Sequence, residues 1–251
     1  MDRTLAFIIV AVIAFTLPLL LVIIWRKKTK CNFMVFLVGT LCFMLFANLL
    51  ESILHTYLLA VNKTTSTFIY SKPIYYALYG GLSAGIFEEC GRLFGFKVLL
   101  RKYDVTKELA VGYGIGHGGI ECILMLGGTY LLYSLALLGV SFGDEATTSM
   151  VLQTVNSIDL NILPVAVIER LLAMCLHIGL SIFVFKATTD KKYFYMFPVA
   201  ILVHMIADIP AGLYQQGVIT SLLLVEGLTA IVAISTLFIA IRIYNNIKGE
   251  E

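Results

Sequence analysis

Unbroken apolar stretches, each about as long as a bilayer is thick, set the terms for how this chain can fold. Crossing a hydrocarbon core of about 30 Å takes roughly 20 helical residues. The sequence offers seven such runs between polar breaks, near 5–25, 33–60, 73–100, 108–139, 161–185, 193–214 and 218–243. With 59% hydrophobic and 14% charged residues among 251, there is too little charge to cover a soluble domain. The expected fold is therefore all-α, a polytopic transmembrane bundle of about seven spans forming a single membrane-embedded domain over residues 1–251. Its catalytic core is expected within 73–214, and no nucleic-acid partner is expected.

The first run reads as an anchor and not as a cleaved leader. It has little basic sequence before it, no small-x-small cleavage site, and Arg26, Lys27, Lys28 and Lys30 directly after it. Basic residues recur after every second span: Arg101, Lys102 and Lys107, then Lys186, Lys191 and Lys192, then Arg242 and Lys248. The alternate connections carry Lys63 and Lys72 in one and no Lys or Arg in the acidic 141–159 segment. Because cytoplasmic loops are enriched in Lys and Arg, the N-terminus is expected outside and the C-terminus in the cytoplasm. The five cysteines are scattered without a CxxC pair, which argues against both a disulfide framework and a thiolate metal site.

Against this apolar background the ionisable residues stand out. Span three holds Glu88, Glu89 and Arg92, span four His117 and Glu121, span five Glu169, Arg170 and His177, and span six His204 and Asp208. An ionised group at mid-bilayer costs roughly 2.5–3.5 kcal/mol. The carboxylates and guanidiniums in this set, left unpaired, would together cost on the order of 20 kcal/mol. They must be paired, neutralised, bound to a cation or hydrated. Counted at 1.5 Å per residue, Glu88, Glu89, His117, His177 and His204 fall roughly 13–18 Å from the expected cytoplasmic edge. Four consecutive helices thus bring acid and imidazole groups to one depth.

Spacing suggests how the groups pair. Arg92 lies three and four residues from Glu89 and Glu88, on one helix face. His117 and Glu121 are four apart, as are His204 and Asp208, so each carboxylate is expected to orient its imidazole. Glu169 lies two turns from His177 on the same face. Glycines at four-residue spacing (Gly81 and Gly85, Gly91 and Gly95, Gly112 and Gly116, Gly114 and Gly118) predict closely approaching helix backbones. Glu51 and His55 in span two fall outside this layer, toward the other end, and are expected to be structural or to gate substrate.

Such a set permits hydrolysis inside the membrane by two routes. Imidazoles and a carboxylate can bind Zn²⁺, with Glu89, His117, His177 and His204 as candidate ligands and a second carboxylate as base. Alternatively, no metal is used, Glu88 activates water directly, and the histidines stabilise the oxyanion. The same groups would also serve a proton- or cation-coupled transporter, or survive in a scaffold with a decayed site. HExxH and GxGD signatures are absent from the sequence.

The stretch Phe87-Glu88-Glu89-Cys90-Gly91-Arg92 resembles the EExxxR motif of the CAAX protease and bacteriocin-processing superfamily, with Arg92 one residue early. His117, with Tyr113 four residues before it, resembles that group's second motif, and His204-xxx-Asp208 its third. The whole chain more specifically resembles the YhfC family of intramembrane proteases, through Gly116-His117-Gly118 with Glu121 and Glu169-Arg170 leading to His177. His177 has no counterpart in the three-motif pattern. The resemblance implies an intramembrane endopeptidase of a bacterial plasma membrane, acting on membrane-embedded or membrane-proximal peptides. Glu88 is the implied water-activating base, His117 and His204 complete the site with Glu89, and Arg92, Glu121, His177, Asp208 and Glu169 support it.

Overall fold

The computed structural model describes residues 2–103 and 106–247 and is wholly helical among them. Lys248, counted above among the basic residues, lies outside the described residues. Nine helices follow one another: α1 (Arg3–Thr29), α2 (Phe33–Val61), α3 (Lys63–Tyr70), α4 (Pro73–Phe94, continued by a wider i→i+5 turn over Gly95–Leu99), α5 (Glu108–Leu137), α6 (Glu145–Ser157), α7 (Leu163–Thr189), α8 (Met196–Gln215) and α9 (Leu222–Asn246). Six of them, namely α1, α2, α5, α7, α8 and α9, are long and apolar enough to cross a membrane. The seventh expected span corresponds to α4, a helix long enough to cross but interrupted in composition by Glu88, Glu89 and Arg92.

The long second and fourth runs do not break. α2 carries i→i+5 turns over Met44–Glu51 and Thr56–Val61, and α5 one over Ile123–Gly128. Two connections expected as loops contain helices, α3 and α6. Both start from side-chain caps: Asn62 accepts from the Thr65 amide at 3.2 Å and Asp144 from the Thr147 amide at 2.8 Å. Such caps satisfy amides that a helix start leaves orphaned.

Burial is inverted relative to a soluble protein. Arg92, Glu89 and His117 are 0% exposed, whereas Leu223 is 70% and Ile231 64% exposed. An apolar exterior around charged groups suits a hydrocarbon solvent and no aqueous one. The chain is a multi-pass membrane protein. Its basic helix ends gather at one side: Lys97 and Arg101 beyond α4, Lys186 and Lys191 at the end of α7, and Asn246 at the end of α9 line one cavity. The Trp25 indole of α1 donates to the Glu108 carbonyl at the start of α5 there (3.2 Å).

α4 packs along α8, α5 along both α2 and α7, and α7 along α9. The glycine pairs explain the closeness. A Cβ at Gly81 or Gly85 would lie 2.7 Å from the backbone oxygen of Met205 or Ile201 on α8. At Gly114 it would lie 2.6 Å from the Ile178 Cα on α7, and Gly116 meets the Phe36 carbonyl of α2. α5 is thus glycine-lined toward two neighbours, and this draws the His117 and His177 backbones together. Gly114→Ala is expected to cost about 1–3 kcal/mol by overpacking. It should lower the thermal unfolding midpoint in detergent, while Gly80→Ala, with nothing within 4 Å of the new methyl, leaves it unchanged.

Candidate active site

Side chains of an α-helix lean toward its N-terminus, and α4 and α8 run antiparallel, as the Gly81–Met205 and Gly85–Ile201 contacts require. Glu89 and His204 therefore lean toward one another. His204 Nδ1 lies 2.8 Å from Glu89 Oε1. The same oxygen takes the Arg92 guanidinium one turn on, in a fully buried ion pair. Arg92 also donates through Nε to the Ser181 hydroxyl (3.3 Å) and through a terminal nitrogen to His177 Nδ1. A guanidinium only donates, so His177 Nδ1 must accept and His177 Nε2 must carry the proton. Glu121 of α5 lies against that nitrogen through Oε2.

Glu88 stands at the centre. Its Oε2 is 2.8 Å from His117 Nε2, 3.8 Å from His177 Nδ1, 3.8 Å from His204 Nε2 and 3.9 Å from Arg92. Three imidazoles from α5, α7 and α8 thus converge on one carboxylate oxygen of α4. All of these contacts run through Oε2, and Glu88 retains some exposure (8%) while Glu89 has none. The His117 ring is held edge-on by Phe43, with centroids 5.1 Å apart, and stacked on Tyr113 at 6.0 Å.

The structure brings Glu88, Glu89, Arg92, His117, Glu121, His177 and His204 together, and Asp208 stands at the margin. Two pairings differ from those read off the spacing. Glu121 does not orient His117 but His177 across the helix interface, and Arg170 of α7 holds its other oxygen at 2.8 Å. His204 is oriented by Glu89; Asp208 stands 3.6 Å from its Nε2, on the same side as Glu88. The reason is geometric: residues four apart lie side by side, but rings directed into the bundle meet groups on the facing helix first. Glu169 does not reach His177; it chelates Arg170. Arg170 and Ser181 were not singled out as site residues. Arg170 was visible as a charge inside span five, seven residues before His177, whereas the signal for Ser181 was helical phase alone, four residues after His177.

Glu51 and His55 form a separate cluster on α2 and α4. His55 Nε2 is 3.2 Å from Glu51 Oε1, its Nδ1 is 2.6 Å from the Tyr79 hydroxyl, and Ser83 donates to Glu51 at 3.1 Å. This fully partnered set stands apart from the histidine layer.

The residues fit a divalent cation. One donor atom each from Glu88, His177 and His204 lie within 4.8 Å of one another. His177 and His204 each set the far ring nitrogen against a carboxylate and the near nitrogen toward Glu88, although His177 Nδ1 at present accepts from Arg92. That arrangement fixes tautomer and raises basicity in metal-binding histidines. Among the described residues of the cluster, five carboxylates (Glu88, Glu89, Glu121, Glu169 and Asp208) face two guanidiniums (Arg92 and Arg170). The surplus negative charge calls for cations or protons. Glu88 takes the ligand place in this trio; Glu89, expected among the ligands, is held by Arg92 and His204.

Arg92→Met should leave Glu89 a buried uncompensated charge and destabilise the protein by about 3–5 kcal/mol. The double variant Arg92→Met/Glu89→Gln removes both charges and is expected to recover most of that loss in thermal unfolding.

Residues 13–229 match the YhfC intramembrane metalloprotease family. The chain is 32% identical over 253 residues to a Bacillus subtilis (strain 168) protein described as "Uncharacterized membrane protein YhfC", covering 95% of this chain and 93% of that one. No solved structure matches.

Proposed function

This chain belongs to the YhfC intramembrane metalloprotease family, and we propose that it is an endopeptidase that hydrolyses a peptide bond within the bilayer at Glu88. The observation that carries this reading is the convergence of three imidazoles on Glu88 Oε2, two of them backed by carboxylates. Glu88, His177 and His204 would hold the metal, and a mixed nitrogen and oxygen donor set of this kind suits Zn²⁺. When bound, the ion supplies Lewis-acid polarisation of a peptide carbonyl and acidifies water.

The protein's own groups supply the rest. Glu88 uses Oε2 toward the imidazoles and keeps Oε1 for a proton taken from water. As the water oxygen bonds to the scissile carbonyl carbon Glu88 holds that proton, and it then delivers it to the amide nitrogen as the C–N bond breaks and the amine leaves. His117, locked between Phe43 and Tyr113, holds the Glu88 carboxylate in place. Arg92, tied to Glu89, Ser181 and His177, keeps both neighbouring rings in the tautomers described. Coordination through His177 Nδ1 requires Arg92 to release that one atom while keeping Glu89 and Ser181. Asp208, at the partly exposed margin beside His204, faces an arriving peptide. The substrate is a membrane-embedded or membrane-proximal polypeptide.

Glu88→Gln should lower turnover at least about 100-fold, the loss typical of a removed acid–base group, without unfolding the protein. An unbiased comparison of membrane-protein fragments from wild-type and Glu88→Gln cells would reveal the substrate as a peptide pair present only in wild type. Identical fragment sets, together with cation flux altered by the same substitution, would favour transport instead. Purified protein is expected to carry about one zinc per chain, removable by chelation. Glu121→Gln should weaken zinc binding about 10–100-fold through His177, and metal content equal to wild type in His177→Ala and His204→Ala would refute the ligand set.

A further inference from the structure

The basic ends of α4 and α7, with Asn246 at the end of α9, line a cavity of about 860 Å³, a size usual for ligand sites. Lys97, Arg101, Lys186 and Lys191 line it together with Phe96 and Phe185, whose rings meet edge-on at 5.4 Å. Among its described lining residues the one acid is Asp190, which is 3.6 Å from Lys186 and also caps the Lys192 amide. Two of the cations are held in place by aromatic faces: Lys97 lies over Phe194 at 5.4 Å and Lys186 over Tyr193 at 4.4 Å. This reduces the entropy lost when they meet an anion. Basic residues at membrane edges are common, but they do not generally wall a concavity with an apolar base. Lys27 and Lys28, exposed on α1, take no part in it.

We propose that this cavity binds a phosphate-bearing anion, either the headgroup of an anionic phospholipid or a soluble phosphate compound. The four cations lining the cavity would take the phosphate, with Arg101 offering a bidentate donor pair, and the apolar Phe96, Leu100 and Phe185 suit the glycerol and first acyl carbons of a lipid. Cation pockets between membrane helices recognise such headgroups. The inference is independent of the active-site reading, because no lining residue belongs to that site.

The test is thermal unfolding of the full chain in uncharged detergent, titrated with short-chain phosphatidylglycerol, short-chain phosphatidylcholine or inorganic phosphate. A saturable upward shift with phosphatidylglycerol, absent with phosphatidylcholine, is expected if the ligand is lipid. A shift reproduced by inorganic phosphate alone assigns the site to a soluble phosphate compound. In Lys97→Gln/Arg101→Gln/Lys191→Gln the half-saturating concentration should rise about fivefold per charge removed. Lys27→Gln/Lys28→Gln should titrate as wild type. If the triple variant does not purify, exposed Lys191→Gln set against Lys27→Gln makes the same comparison. No shift with either anion, equal shifts with both lipids, or equal effects of cavity and α1 substitutions would overturn the proposal.

Discussion

The fully buried ion pair of Arg92 with Glu89 determines most of what surrounds it. Neither group touches water, so each depends on the other, and removing one strands its partner in a low dielectric. The pair also fixes chemistry beyond itself. Glu89 sets the His204 tautomer by accepting from Nδ1, and Arg92 sets the His177 tautomer by donating to Nδ1. One guanidinium thereby decides which nitrogen of two imidazoles, on two other helices, faces Glu88. With Glu89 Oε1 committed to Arg92 and His204 and the whole carboxylate buried, Glu88 is left as the acid of the pair that keeps some exposure.

That arrangement depends on how closely the backbones approach. Imidazoles reach only a few ångströms from their own Cα, and helices separated by leucine-sized side chains would hold them apart. The glycines at 81 and 85 lay α4 against α8, and those at 114 and 118 lay α5 against α7. Three of the four expected glycine pairs therefore had a more specific meaning than general closeness, since each serves a particular partner helix, whereas Gly91 and Gly95 make room for the Phe46 and Tyr113 side chains of α2 and α5. On α5 two interleaved pairs face two different neighbours, which puts His117 at a three-helix junction with α2 on one side and α7 on the other.

The helical class, the apolar spans and the residues of the histidine layer were legible in the sequence, because an ionisable side chain in hydrocarbon is too costly to be incidental. The partners were not. Spacing along one helix proposed His117 with Glu121 and His204 with Asp208, whereas the structure joins Glu88 to His117, Glu121 to His177 and Glu89 to His204. Pairing across helices depends on rotation and register, and a single sequence holds little record of either. The helices α3 and α6 were missed for the opposite reason. Their caps at Asn62 and Asp144 were visible, but attention to hydropathy passed over short polar segments.

Charge balance ties the fold to the proposed chemistry. Opposite charges attract more strongly in a low dielectric than in water, and an unbalanced set is correspondingly more costly. The cluster carries more carboxylates than its two guanidiniums can match, and the donor atoms nearest the imbalance are those of Glu88, His177 and His204. The surplus at Glu88 is what a site built to take up a divalent cation, or the proton of a water molecule, requires. The bilayer that makes these charges costly also strengthens their hold on whatever neutralises them.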